Sequence, residues 1–257
     1  MSDSIPEVSP EQIVEWLDVL IDAGSTVEMR VLFECRRPIV RHYRSTQLDQ
    51  MARDAMRQSK GAKGIYWLLN PLPADWEGGT AKDVDIVRRR WLLVDCDPKR
   101  KGGVSATEAE KSLAHEKTKA VYRELKARGW PRAIVADSGN GWHLLFRIDL
   151  PADDGGLVAR CLKTLDRMFS DEGVDIDTTV GNASRICKLY GTSASKGENT
   201  PERPHRVSQI IRIPQSLEVV PTELLQKLAS DVKQPPLRLP DSQPVLILKA
   251  VRRVQRP

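Results

Sequence analysis

The sequence has no stretch approaching the roughly 18 consecutive apolar residues that a membrane helix requires. Its start, MSDSIPEVSPEQ, is acidic rather than basic then apolar. Both absences argue against a membrane protein or a secreted precursor, and an uncleaved, soluble, cytoplasmic chain is expected. Cysteine is scarce: Cys35, Cys96, Cys161 and Cys187 lie far apart with no CxxC or Cys/His ligand spacing. That pattern predicts neither a zinc site nor disulfides, and reduced, mostly buried thiols are expected. No internal repeat is present. The motif GxxxxGK followed by Ser or Thr is also missing, so no fused helicase of the P-loop kind is expected; either a helicase acts in trans or the chain works alone.

Net charge is missing where it would be informative. The formal charge of +5 is carried by the segment from Lys233 to Pro257, where Lys233, Arg238, Lys249, Arg252, Arg253 and Arg256 face only Asp241. The preceding residues are balanced between cations and acids, so global charge names no partner for them. Five prolines in that segment predict an extended, poorly ordered basic tail over 231–257.

What is present is a chain of 257 residues, 40% hydrophobic and 29% charged, the composition of a soluble globular protein. Ser9, Pro10 and Gln12 stand as N-cap, N1 and N3 ahead of Ile13, Val14, Trp16, Leu17, Leu20 and Ile21 at helical spacing, predicting a helix from about Pro10 to Asp22. MRVLFECRR reads as a strand, QLDQMARDAMRQ as a helix and GIYWLLNPL as a strand. RRWLLVDCDP, nearly continuous in apolar residues, reads as an interior strand. Ser105 and Glu108 suggest a capping box for a long helix ending near Arg128-Gly129. AIVADSGNGWHLLFRIDL reads as a hairpin, followed by a helix from about Gly155 to Phe169. The strands SRICKLYG and HRVSQIIRIP and a last helix, PTELLQKLAS, complete the series. The alternation predicts helices layered on sheet.

Three clusters could carry chemistry. Asp95 and Asp97 are two apart in a strand, so both carboxylates share one face about 6 to 7 Å apart. They repel unless a cation lies between them, and a divalent ion held by hard oxygen ligands fits that need. Arg88, Arg89 and Arg90 before them, and Lys99, Arg100 and Lys101 after them, are equally able to pair with acids at a solvated strand end. The second cluster, DSGNGWH, offers Ser138, the Gly141 backbone and His143 as anion donors, or else a plain hairpin turn with a satisfied histidine. The third runs from Asp175 and Asp177 through Arg185 and Lys188 to Lys196. It has the acid-then-cations order that a metal and a triphosphate require, and equally that of turn acids and surface cations.

In this order, VDCDP, then GWH, then IDTTV leading into NASRICKLYGTSASKG, the sequence resembles the archaeo-eukaryotic primase superfamily. The likeness is to the primase-polymerases of plasmids and prophages, and it covers roughly residues 25 to 230. GIYWLLNP and ERPHRVSQI also look like the prophage-type members. The resemblance implies an α/β (α+β) catalytic core of two α/β subdomains, the second similar to the RNA-recognition fold, with the active site in the cleft between them. An N-terminal helix over 1–24 would precede a core over 25–230. Asp95, Asp97 and Asp177 would be ligands of two magnesium or manganese ions, with Asp177 preferred to Asp175 because it directly precedes TTV. Ser138, Gly141 and His143, with Arg185, Lys188 and Lys196, would hold the phosphates of an NTP or dNTP. A single-stranded DNA template would lie in a basic groove walled by Arg88 to Arg90 and Lys99 to Lys101. Two other readings use the same residues: a non-catalytic replication-initiation or single-strand-binding module, and a metal-dependent nuclease.

Overall fold

A computed structural model describes residues 8–231; the basic tail expected from Lys233 onward lies outside the described residues. The chain opens with α1 (Pro10–Leu20), capped by the Ser9 side chain, which accepts from the Gln12 amide. It continues through β1 (Thr26–Leu32), β2 (Ile39–Arg44), α2 (Leu48–Ser59), β3 (Gly64–Leu68), β4 (Arg88–Pro98), α3 (Glu108–Ala127), β5 (Ile134–Asp137) and β6 (Trp142–Pro151). The remainder is α4 (Leu157–Phe169), β7 (Val174–Ile176), β8 (Ile186–Lys188), β9 (Ser193–Ala194), β10 (Arg206–Val207), β11 (Gln209–Arg212) and α5 (Thr222–Ser230).

The strands form a sheet of order β2-β1-β3-β8, a second of order β11-β5-β6-β4-β7, and the small ribbon β9-β10. Neighbouring strands are antiparallel in all three. Helices α1 and α2 pack together beside the first sheet, and α3 and α4 cover one face of the second. One continuous apolar cluster runs through both sheets and includes Ile13, Trp16, Leu17 and Leu20, so α1 is packed into the same body as the rest. No helix among the described residues is long and apolar enough to cross a membrane.

Strand β4 sets up the site. Leu92, Val94 and Cys96 are buried, Cys96 beside Thr118 of α3. Period-two alternation then turns Leu93, Asp95 and Asp97 to the other face, toward the first sheet. Its place between β6 and β7, with Leu92, Leu93, Val94 and Cys96 all buried, accounts for the apolar run.

Several elements differ from expectation. The strand read as MRVLFECRR ends at Leu32; Glu34–Arg37 are exposed and the chain returns as β2. The capping box belongs to Thr107 and Glu110, not to Ser105 and Glu108: the Ser105 hydroxyl donates instead to the Lys196 carbonyl. HRVSQIIRIP breaks at Ser208, whose amide donates to the Thr192 carbonyl and whose hydroxyl reaches Leu189 and Thr192. At three residues, β7 is too short to show periodicity, and only its pairing with β4 defines it.

Candidate active site

Cross-strand register gathers the side chains that sequence keeps apart. On β4, Asp95 lies opposite His143 of β6, and Asp97 lies opposite Asp175 of β7. The Asp177 amide donates to the Asp95 carbonyl at 2.9 Å. Opposite partners share a face, and Asp95, Asp97, Asp177 and His143 look into the space between the sheets, while Asp175 is exposed beside it. A chamber of about 310 Å³ there is lined by Asp95, Asp97, Asp177, Ser138 and His143 on one side and by Lys63, Tyr66, Arg185, Lys188 and Lys196 on the other. A second, of about 550 Å³, is bounded by the Lys99–Val104 loop, Asp166 and Asp175. The two meet at Asp97, Asp177 and Lys196.

The carboxylate pair is incompletely neutralised. His143 Nε2 stands 3.4 Å from Asp95 Oδ1, too far for a well-formed hydrogen bond, and Oδ1 is buried with no hydrogen-bond partner. Burial pushes the Asp95 carboxyl up, but the His143, Lys196 and Arg100 charges outweigh it and hold Asp95 below the usual range. Asp97 goes the other way: burial first, then the Asp95 charge, raises it to about 6. His143 is 3% exposed, and although burial opposes its charge, the Asp95 carboxylate holds it well above an ordinary imidazole. Its Nδ1 lies 2.8 Å from the Tyr190 hydroxyl, with the Cys187 sulfur at 3.7 Å.

The turn between β5 and β6 closes on itself. Ser138 Oγ accepts from the Gly141 amide, the Ser138 amide donates to the Gly141 carbonyl, and Asp137 Oδ1 accepts from the Gly139 amide. The Gly141 N–H is therefore already engaged, while the Ser138 hydroxyl proton stays available. Glycine is needed at 141 for another reason: a Cβ there would lie 2.5 Å from Asp97 Oδ1 and 2.6 Å from the Cys96 carbonyl.

Among the cations, Lys188 is buried, donating to Thr192 Oγ1 and the Ser193 carbonyl, and burial lowers its ammonium to about 7, with the Lys196 charge acting the same way. Arg185 donates to Asn182 Oδ1 and to the Thr179 carbonyl. In the other chamber Lys99 pairs with Asp175 at 3.2 Å, and Arg100 binds the Pro98 and Val104 carbonyls while reaching within 3.8 Å of Asp97. Lys101 is exposed beside them.

Arg88, Arg89 and Arg90 do not join this group. They occupy the opposite end of β4, about 20 Å from the carboxylates at the usual rise per residue. Arg88 pairs with Asp149, Arg90 with Asp149 and Asp22, and the buried Arg89 donates to the Ala152 and Gly181 carbonyls and contacts Asp154. Of the expected groove wall, the Arg88–Arg90 half is thus engaged in ion pairs and carbonyl contacts away from the carboxylates, while Lys99–Lys101 border the larger chamber.

As a donor set for a divalent ion, Asp95 and Asp97 fit: two hard carboxylates on one face, one with a buried, unpartnered oxygen. The third carboxylate stands apart, because Asp177 Oδ1 caps the Thr179 amide at 2.7 Å. No three His, Cys, Asp or Glu side chains among the described residues form a metal-holding group. Lys63, Tyr66, Cys187 and Tyr190 were not singled out from sequence. Each lies in an otherwise ordinary strand or loop, and only sheet pairing brings it to the site.

No known family profile and no curated protein matches the chain. Among solved structures, primase RepB' superposes at TM-score 0.52 with 14% identity over 87% of this chain. The catalytic domain of primase RepB', solved in complex with initiator DNA, superposes at 0.51 with 15% identity over the same share. The chain spans 63% of the first structure and 95% of the second. At such low identity the likeness is one of fold: the chain has the fold of the primase RepB' catalytic domain, in keeping with the fold that the sequence resemblance implies.

Proposed function

We propose that the chain is a primase-polymerase, transferring nucleotidyl groups from NTPs or dNTPs on a single-stranded DNA template, in the replication of a phage or other mobile element. The observation that carries this reading is the under-neutralised Asp95–Asp97 pair, whose Asp97 stands at the junction of two cation-lined chambers. Two chambers meeting at Asp97 suit a reaction with two phosphate-bearing substrates. That a domain of this fold was solved with initiator DNA supports DNA as one of them.

Asp95 and Asp97, joined by Asp177 if it leaves its cap, would hold magnesium or manganese, whose chemistry is to acidify the attacking hydroxyl and neutralise the departing pyrophosphate. The rest is positioning and charge. Lys196, Lys188 and Arg185 face the triphosphate in the smaller chamber, with the Ser138 hydroxyl as a neutral donor. His143 is assigned to phosphate through its protonated Nε2, which also keeps Asp95 ionised and oriented. Lys99, Arg100 and Lys101 border the larger chamber, where the nucleic-acid strand would enter.

The test is incubation with single-stranded DNA, magnesium or manganese, and labelled nucleotides of each sugar type, with and without a primer. Incorporation is expected. DNA hydrolysis without incorporation would move the assignment to a nuclease. Binding of DNA with neither reaction would move it to a non-catalytic single-strand-binding module.

A further inference from the structure

The fold places one more basic feature beside the cleft. Between β1 and β2 the loop Phe33-Glu34-Cys35-Arg36-Arg37-Pro38 projects from the end of the first sheet, with Glu34–Pro38 exposed. That end adjoins the smaller chamber: Leu32 and Lys63 line it, Leu32 faces Gly64 across β1 and β3, and the Ser195 amide beside Lys196 donates to the Lys63 carbonyl. Glu34 is held by Lys63 at 2.8 Å, which leaves the loop's two arginines without a carboxylate partner among the described residues. The Arg36 guanidinium lies 3.4 Å from the centre of the Phe33 ring.

A loop needed only to reverse the chain would favour Gly, Asn or Asp, and this one has none of them. Instead it carries a planar cation stacked on an aromatic ring, with a second cation adjacent. Arginine planes and aromatic faces are surfaces on which unpaired bases stack, and neighbouring cations take the phosphates between them. A duplex hides its base faces, so this combination suits a single strand. The contrast with Arg88–Arg90 is direct, since every one of those guanidiniums already meets an acid or a carbonyl.

Resting on the primase-polymerase reading, we infer that the β1–β2 loop is a template grip, in which one base of single-stranded DNA stacks on the Arg36–Phe33 pair and Arg37 contacts an adjoining phosphate. Its place beside the smaller chamber makes it the element that holds the template strand next to the incoming nucleotide, while the strand end that bears the attacking hydroxyl enters by the larger chamber.

Fluorescence anisotropy with a labelled oligothymidylate across a salt series tests this, with binding of a labelled nucleoside triphosphate in manganese as a parallel readout. Arg36→Ala/Arg37→Ala should weaken DNA binding about tenfold and lower the slope of log affinity against log salt by about 0.7, the value for the single phosphate contact that Arg37 makes on a single strand. Nucleotide binding and the melting temperature should not change. Arg36→Lys retains the charge and loses the plane, so it should keep the slope while losing affinity for the oligomer. That loss should vanish on an abasic oligomer, which offers no base to stack. If the parent protein binds DNA and the double variant shows the same slope, the grip is wrong while the functional reading stands. Absence of DNA binding by the parent would overturn both.

Discussion

At one end of β4 Arg88, Arg89 and Arg90 each meet an acid or a carbonyl; at the other, Asp95 and Asp97 share a face with cations nearby but no full set of partners. In the sequence the two ends look alike, as short charged clusters flanking an apolar run. In the fold the basic end closes the structure, pinning β4 to the β6 end and the Ala152–Asp154 turn. The acidic end keeps two like charges together, with Asp97 raised to about 6. Packing alone gives no reason for such a pair, and a positively charged ligand does. Charged clusters on one strand are thus to be judged by the partners the fold supplies.

The largest effect should come from the acidic end. Asp95→Ala or Asp97→Ala should reduce nucleotide incorporation by about a thousandfold or more, as expected when a metal loses a hard ligand worth several kcal/mol. Thermal melting should stay the same or rise for Asp97→Ala, because a like-charge repulsion is removed, and should fall for Asp95→Ala, which leaves the buried His143 without its carboxylate. Full synthesis by either variant on a primed template would remove the acid pair from the reaction.

The basic end should respond in the reverse sense. Arg89→Ala leaves the Ala152 and Gly181 carbonyls unpaired and Asp154 facing no cation, and it should cost about 3 kcal/mol of stability in denaturant titration. Single-stranded DNA affinity should be unchanged. A variant that kept its stability and lost DNA binding would turn this end back into a groove wall.

A third test compares pH values. Burial lowers the folded-state Lys188 from 10.5 to about 7, so the unfolded chain binds the extra proton between those values. The resulting stability cost is fully present below pH 7 and is lost as pH rises toward 10.5. Lys188→Met should therefore gain melting temperature relative to the parent more at pH 6 than at pH 10. An equal difference at both would mean that the buried amine is not held neutral. The smallest effect is expected for Arg88→Ala, whose exposed, solvent-screened pair with Asp149 should leave both the melting temperature and DNA binding close to the parent's.

Much of the architecture is legible in the chain because it rests on local rules. The Ser9-Pro10 cap, the apolar stripe of α1, the Ser-Gly-Asn-Gly turn and the apolar run of β4 each carry their signal within a few residues. Elements of two or three residues, such as β7 and β9, have no such signal and exist through their partners. The same division holds in the site. Asp95 and Asp97 are marked by spacing alone, since period two puts them on one face of any strand. Tyr190 is not, because its place beside His143 depends on a loop 47 residues further along the chain.

The sequence by itself determined most of the longer elements, their order, and the face shared by the acid pair, since propensity, capping and strand period act over one or two turns of chain. Tertiary structure alone decided which charges are neutralised. It set Asp95 against His143, tied Asp177 to Thr179, buried Lys188, and moved Arg88–Arg90 out of the cleft while bringing the Phe33–Pro38 loop to its edge. The physical reason is that ion pairing and desolvation fall off over a few ångströms of space, and which groups come that close is set by sheet order and register.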